Sequence, residues 1–206
     1  MKILSHRGYW KTSDEKNQPI AFTRSFNLNF GTETDLRDCA GKIVISHDMP
    51  KGNEMTVDEF FSLLTDCDLP LALNIKSDGL ATELKALLTK YNIENYFVFD
   101  MSIPDTLSYF KAGLRVFARV SEFELLPICY DQITGIWLDA FQDIWYSPEL
   151  IREFLTAGKA VCLVSPELHQ RDALTLWAKL KDAGLHHEQA LMLCTDFPED
   201  AQNFFN

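Results

Sequence analysis

The sequence predicts an α/β chain that closes into a small (β/α)8 TIM barrel. Three observations carry that reading. Short apolar runs of strand type alternate with helical patterns along the whole length, the runs number eight, and polar side chains of chemical interest collect directly after them. A length of 206 residues sits at the small end of that fold's range and suits one domain, residues 1–206. The structural alternative is a doubly wound open sheet. No glycine-rich phosphate loop follows the first strand, so nothing favours a dinucleotide site.

The elements follow in order. Ile3 to Arg7 is the first strand, and Pro19 to Phe30 the first helical segment. The second strand carries Glu33 and Asp35, turns near Cys39-Ala-Gly41 and returns through Ile43-Val-Ile45 to His47 and Asp48. Thr56-Val-Asp-Glu59 opens a helix with a capping box. Leu71 to Lys76 is the third strand, and Leu80, Leu84, Leu87 and Leu88 recur at helical spacing up to Tyr91. Tyr96 to Phe99 is the fourth strand, its helix stopping at Gly113, and Arg115 to Val120 is the fifth. A weakly patterned segment around Pro127 carries no clear helix. Ile136-Trp-Leu138 is the sixth strand, and Ser147-Pro148 caps a helix that ends at Gly158. Ala160 to Val164 is the seventh, Ala173 to Lys181 a helix, Leu191-Met-Leu193 the eighth strand, and a last short helix begins near Pro198.

Composition narrows the function. With 47% hydrophobic and 24% charged residues, the chain reads as globular, and no run approaches a membrane-spanning length, so no stable membrane insertion is expected. Met1 to His6 lacks the apolar core of a signal peptide, which points to the cytoplasm. Cys39, Cys67, Cys129, Cys162 and Cys194 form no CxxC pair and read as small buried hydrophobes. A net charge of -11 argues against a sequence-independent grip on nucleic acid. An anionic ligand would need local recognition by a cation or a few placed basic residues.

Glu33 and Asp35 lie two apart on a strand and so share a face, where two like charges repel unless a cation or a shared proton intervenes. The bland alternative is the wet side of an edge strand. Strand ends elsewhere supply His6-Arg7, His47-Asp48, Asn74 with Lys76, Ser165 to His169, and Thr195-Asp196. In a (β/α)8 barrel such positions converge on one rim. The set matches the needs of phosphodiester cleavage. Glu33 and Asp35 offer hard oxygen ligands to Mg²⁺ or Ca²⁺, Arg7 and Lys76 offset phosphate charge, and His6 and His47 exchange protons near neutral pH. Glu167 could add charge to that set, or be an exposed loop acid.

Ser5-His-Arg-Gly-Tyr-Trp10, Asn17 with Ala21-Phe22, Gly31-Thr-Glu-Thr-Asp-Leu36, Ser46-His-Asp48, Asn74-Ile-Lys76 and Thr195-Asp-Phe-Pro198 together resemble the glycerophosphodiester phosphodiesterase family, of the phosphatidylinositol-phospholipase-C-like barrels. The resemblance is specific in the first third of the chain and after the eighth strand, and weak between. It implies a divalent cation held at Glu33, Asp35 and Asn74, His6 and His47 as acid and base, and Arg7 and Lys76 on the phosphate. It also implies a small-molecule phosphodiester substrate attacked by its own neighbouring hydroxyl through a cyclic phosphodiester.

Several positions depart from that pattern. Asn74 stands where the family usually has glutamate, so a neutral carbonyl replaces an anionic ligand. Lys16 replaces the usual glutamate before Asn17, and Val164-Ser-Pro-Glu-Leu-His169 replaces a tryptophan motif. The insertion that usually follows the His-Asp pair is missing, which should leave the mouth open. The departure at Asn74 motivates a second reading, a phosphodiester-binding barrel with weakened chemistry and a binding or regulatory role. A third keeps the barrel but releases a cyclic phosphate. The substrate alcohols and the oligomeric state are not readable from the residues.

Overall fold

The computed structural model describes residues 1–64 and 68–206, so Cys67 lies outside the described residues. Two compact units result, His6–Val116 and Met1–Ser5 with Phe117–Asn206.

Along the chain the elements are β1 (Lys2–His6), α1 (Pro19–Asn27), β2 (Gly31–Cys39), β3 (Lys42–Ile45), α2 (Val57–Ser62), β4 (Leu71–Ile75), α3 (Ala81–Lys90), β5 (Tyr96–Phe99) and α4 (Ile103–Lys111). They continue as β6 (Phe117–Val120), β7 (Gly135–Leu138), α5 (Pro148–Thr156), β8 (Ala160–Val164), α6 (Leu174–Asp182), β9 (Leu191–Thr195) and α7 (Pro198–Phe205). The weakly patterned stretch between β6 and β7 is turns, without a helix.

In the unit formed by His6–Val116, β2 pairs in parallel with β4, and β4 with β5. Leu36 opposite Ile75 is the last β2–β4 pair, and beyond it β2 folds back antiparallel onto β3. That return arm is the one antiparallel strand among those described; the remaining eight are parallel. In the other unit β6, β7, β8 and β9 pair in parallel in sequence order, and β1 pairs with β9. Within this unit the first strand lies beside the last, and β6 to β9 follow one another in sequence order without a switch point of the doubly wound kind.

Local chemistry explains the helix starts. Thr56 Oγ1 accepts from the Glu59 N–H at 3.2 Å while Glu59 Oε2 accepts from the Thr56 N–H at 2.8 Å, the expected capping box. Ser147 Oγ accepts from the Leu150 N–H, with Pro148 in the first turn of α5. Helices pack their apolar stripes on the strands: Phe22 of α1 meets Phe60 of α2 with ring centroids 4.5 Å apart, and both are fully buried. Each such ring contributes roughly 1.5–3 kcal/mol through removal from water. Cys162 and Cys194 are buried as expected, whereas Cys39 and Cys129 are only half-buried.

The turn after β1 decides where the first functional residues point. Arg7 and Gly8 both take left-handed backbone angles, φ +58° and +79°, and a Cβ on Gly8 would lie 2.8 Å from the Ala21 Cβ. The chain therefore reverses at once and lies against α1, with the Tyr9 N–H donating to the Ala21 carbonyl. We expect Gly8→Ala to lower stability by about 1–3 kcal/mol. Gly41, also at φ +79° but with nothing within 4 Å of its Cβ position, is the control, and Gly41→Ala should cost less. Thermal unfolding of both variants checks the order.

Candidate active site

The residues that the sequence singles out in the first third of the chain come together within the unit formed by His6–Val116. Their placement follows from register. Asp35 on β2 stands opposite Asn74 on β4, the Lys76 N–H donates to the Leu36 carbonyl, and the Arg7 N–H donates to the Glu33 carbonyl. Paired residues of adjacent parallel strands share a face, so Glu33, Asp35 and Asn74 form one group. All three are buried, at 2%, 1% and 7% exposure, which removes the reading of a wet edge strand.

Burial of two carboxylates demands compensation. Arg7 Nε lies 3.1 Å from Asp35 Oδ2, and Lys76 Nζ lies 3.4 Å from Asp35 Oδ1. The Asn17 Nδ2 amide also donates to Asp35 Oδ2 at 2.9 Å, while its oxygen accepts from Thr34 Oγ1. Asn17 is placed by its backbone, at φ +59° with its N–H on the Arg7 carbonyl. Glu33 is less well served. Its Oε2 faces His6 Nε2 at 3.9 Å, too long for a hydrogen bond. Burial first, and the Asp35 charge second, push the Glu33 carboxyl up to about 8, against the opposing pull of Arg7 and Lys76.

Three oxygens of this group, Glu33 Oε2, Asp35 Oδ1 and Asn74 Oδ1, are buried and accept no hydrogen bond from the described residues. No cluster of three or more His, Cys, Asp and Glu occurs among those residues, so a cation would rest on two carboxylates and one amide. Buried oxygens that accept no hydrogen bond fit a hard divalent cation, whose charge would also favour the ionised form of Glu33.

His47 is positioned differently. The Ser46 N–H donates to the Asp35 carbonyl, so the chain passes Asp35 immediately before His47. The imidazole itself is 45% exposed and its Nδ1 lies 2.9 Å from Oδ1 of the exposed Asp48. That hydrogen bond holds the Asp48 carboxyl below its ordinary range. His6 thus lies against the acid pair, and His47 faces its own carboxylate partner.

The other unit carries polar residues of its own. Glu167 accepts from the Ser165 and Thr195 hydroxyls and from the Asp196 N–H, so its carboxylate is consumed in joining the ends of β8 and β9. His169 Nε2 lies 2.7 Å from Oδ1 of Asp139, a buried acid directly after β7 that sequence reasoning passed over. Its signal was available, since an acid following Ile136-Trp-Leu138 is a strand-end polar residue like the others. Asp100, after β5 at φ +68°, carries the same signal and was also missed. Trp145 and Tyr146 belong to this surrounding structure: Trp145 Nε1 donates to the Asp139 carbonyl, and Tyr146 is buried.

No protein-family model and no curated protein matches the sequence. Solved structures do match. A candidate glycerophosphodiester phosphodiesterase from Galdieria sulphuraria superposes with a TM-score of 0.79 over 99% of this chain and 97% of its own, at 19% identity. The chain has the barrel fold of the glycerophosphodiester phosphodiesterases. A second such enzyme, from Agrobacterium tumefaciens, matches with a TM-score of 0.73 at 14% identity over 99% of this chain and 98% of its own. A phosphodiesterase of Oleispira antarctica, solved with its product sn-glycerol-3-phosphate, matches with a TM-score of 0.68 at 15% identity over 99% and 96%. The predicted (β/α)8 class is thereby met over essentially the whole chain.

Glu33 also yields a pH prediction. In the unfolded chain it titrates near 4.5, while in the folded protein it keeps its proton up to about 8. Between these values the native state binds the extra proton, so stability falls as pH rises, by up to about 1.4 kcal/mol per pH unit, and the slope disappears above the upper value. Denaturant unfolding in a chelating buffer from pH 5 to 9 should show this slope in the wild type and its loss in Glu33→Gln.

Proposed function

We propose that this chain is a phosphoric diester hydrolase that acts on a glycerophosphodiester-like small molecule, with residues 1–206 working as one domain. The observation that carries the reading is the buried group of Glu33, Asp35 and Asn74 oxygens without hydrogen-bond donors, set among Arg7, Lys76 and His6. The fold shared with phosphodiesterases supports it but does not decide it, because barrels of this class host many reactions.

Glu33, Asp35 and Asn74 would hold a divalent cation, Mg²⁺ or Ca²⁺, which when bound polarises a phosphoryl oxygen and offsets its charge. Arg7 and Lys76 bind the remaining phosphate oxygens, and their existing pairing with Asp35 keeps them extended toward that position. His6 and His47 move protons. One takes the proton of the substrate hydroxyl that attacks phosphorus, and the other gives a proton to the departing alcohol. Water then opens the cyclic phosphodiester, with the two roles exchanged. Each imidazole contributes about 10²- to 10⁴-fold in rate.

Asn74 favours a second, weaker-chemistry reading, in which the pocket binds phosphodiesters with little turnover. A neutral amide in place of a third carboxylate holds the cation less tightly.

The test is hydrolysis of a phosphodiester panel with and without Mg²⁺, Ca²⁺ and Mn²⁺. We expect turnover that depends on the cation and falls by about 10²-fold or more in His6→Ala and His47→Ala. Equal rates for wild type and His47→Ala on every substrate reject the reading. Tight calorimetric binding without turnover, unrescued by Asn74→Glu, favours the binding barrel instead.

A further inference from the structure

The turn between β1 and α1 holds one feature that the proposed chemistry does not use. Trp10 is fixed beside His6, its Nε1–H donating to the His6 carbonyl at 3.1 Å. Lys16 Nζ sits over the Trp10 ring, 4.3 Å from its centroid. Lys16 is itself tethered, because the next residue, Asn17, donates to Asp35 and has its N–H on the Arg7 carbonyl. Both partners of this cation–π pair are therefore anchored to residues of the candidate site.

An uncovered tryptophan face attracts a quaternary or primary ammonium group. Here that face already carries an ammonium, and Lys16 makes no ion pair among the described residues. The adjacent acid is otherwise engaged: Glu15 pairs with Arg24 at 2.8 Å. Asp14, on the same turn, is exposed. Beside His6 the turn thus presents an ammonium that makes no ion pair among the described residues.

We propose that Lys16, seated on Trp10, makes this site selective for a phosphodiester whose alcohol carries an anionic group, such as a carboxylate or a second phosphate, over one that carries an ammonium. This rests on the phosphodiesterase reading, and it names the charge of the alcohol that the reading leaves open. An ammonium-bearing alcohol meets like charge where it would need an aromatic face. An anionic alcohol gains a charge-assisted partner.

Three glycerol phosphodiesters that differ in the second alcohol, choline, glycerol or 3-hydroxypropionate, test the proposal against wild type, Lys16→Glu and Lys16→Met. We expect wild type to favour the 3-hydroxypropionate diester over the choline diester by about tenfold in kcat/KM, an effect that shrinks with added salt. Lys16→Glu should reverse the order and Lys16→Met should abolish it, both through KM, with kcat on the neutral glycerol diester unchanged. The same preference in all three proteins overturns the proposal while leaving the phosphodiesterase reading intact. If wild type turns over none of the three, the phosphodiesterase reading fails, and calorimetric binding of the same diesters decides the selectivity. An order of affinities that reverses in Lys16→Glu supports the proposal, and equal affinities overturn it.

Discussion

Two carboxylates two residues apart on the buried part of a strand are the constraint that the unit formed by His6–Val116 satisfies. Glu33 and Asp35 cannot both be charged in a dry interior without opposing charge nearby, and removal of carboxylates from water costs several kcal/mol each. The surrounding turns meet this demand unequally. Asp35 draws Arg7, Lys76 and the Asn17 amide, three donors from the turn after β1 and the end of β4. Glu33 has a distant imidazole, and the pull of Arg7 and Lys76 on it is outweighed by burial and by the Asp35 charge, so its carboxyl is pushed up. In the proposed function that asymmetry leaves room for a cation beside the acid pair, whereas a purely structural pair would be closed with a cation for each acid.

The backbone around this pair is arranged to deliver those partners. Left-handed angles at Arg7, Gly8 and Asn17 fold the turn after β1 back on itself, which brings a guanidinium and an amide to the same carboxylate. The hairpin of β2 and β3 carries the chain past Asp35 and sets His47 just beyond it. Sequence-distant groups thus meet through a few backbone hydrogen bonds at strand ends, where side chains are free to point into a mouth while the strands themselves stay rigid.

Much of this was legible from residue order. Short apolar runs located the strands and helical spacing most of the helices, because strands covered on both faces are apolar throughout while helices repeat their apolar residues at the helical period. The acid pair, Asn74 and Lys76 were recognisable because charge inside an apolar strand has no cheap structural explanation. The engagement of Glu167 was not legible, since two of its three donors, Thr195 and Asp196, come from a distant later segment that spacing cannot place. Nor was the pairing of Asp139 with His169, which brings together residues after two different strands. The contrast between the tight grip on Asp35 and the loose one on Glu33 likewise exists only in three dimensions. Boundaries shifted by one to three residues where a strand or helix ends in polar residues that satisfy either state, as at Arg7 and at the end of α1.

Crystals soaked in Mn²⁺ and examined by anomalous diffraction test the central claim most directly. The account predicts one manganese peak per chain, bounded by oxygens of Glu33, Asp35 and Asn74. A fully occupied peak elsewhere, with none at those three oxygens, would contradict it.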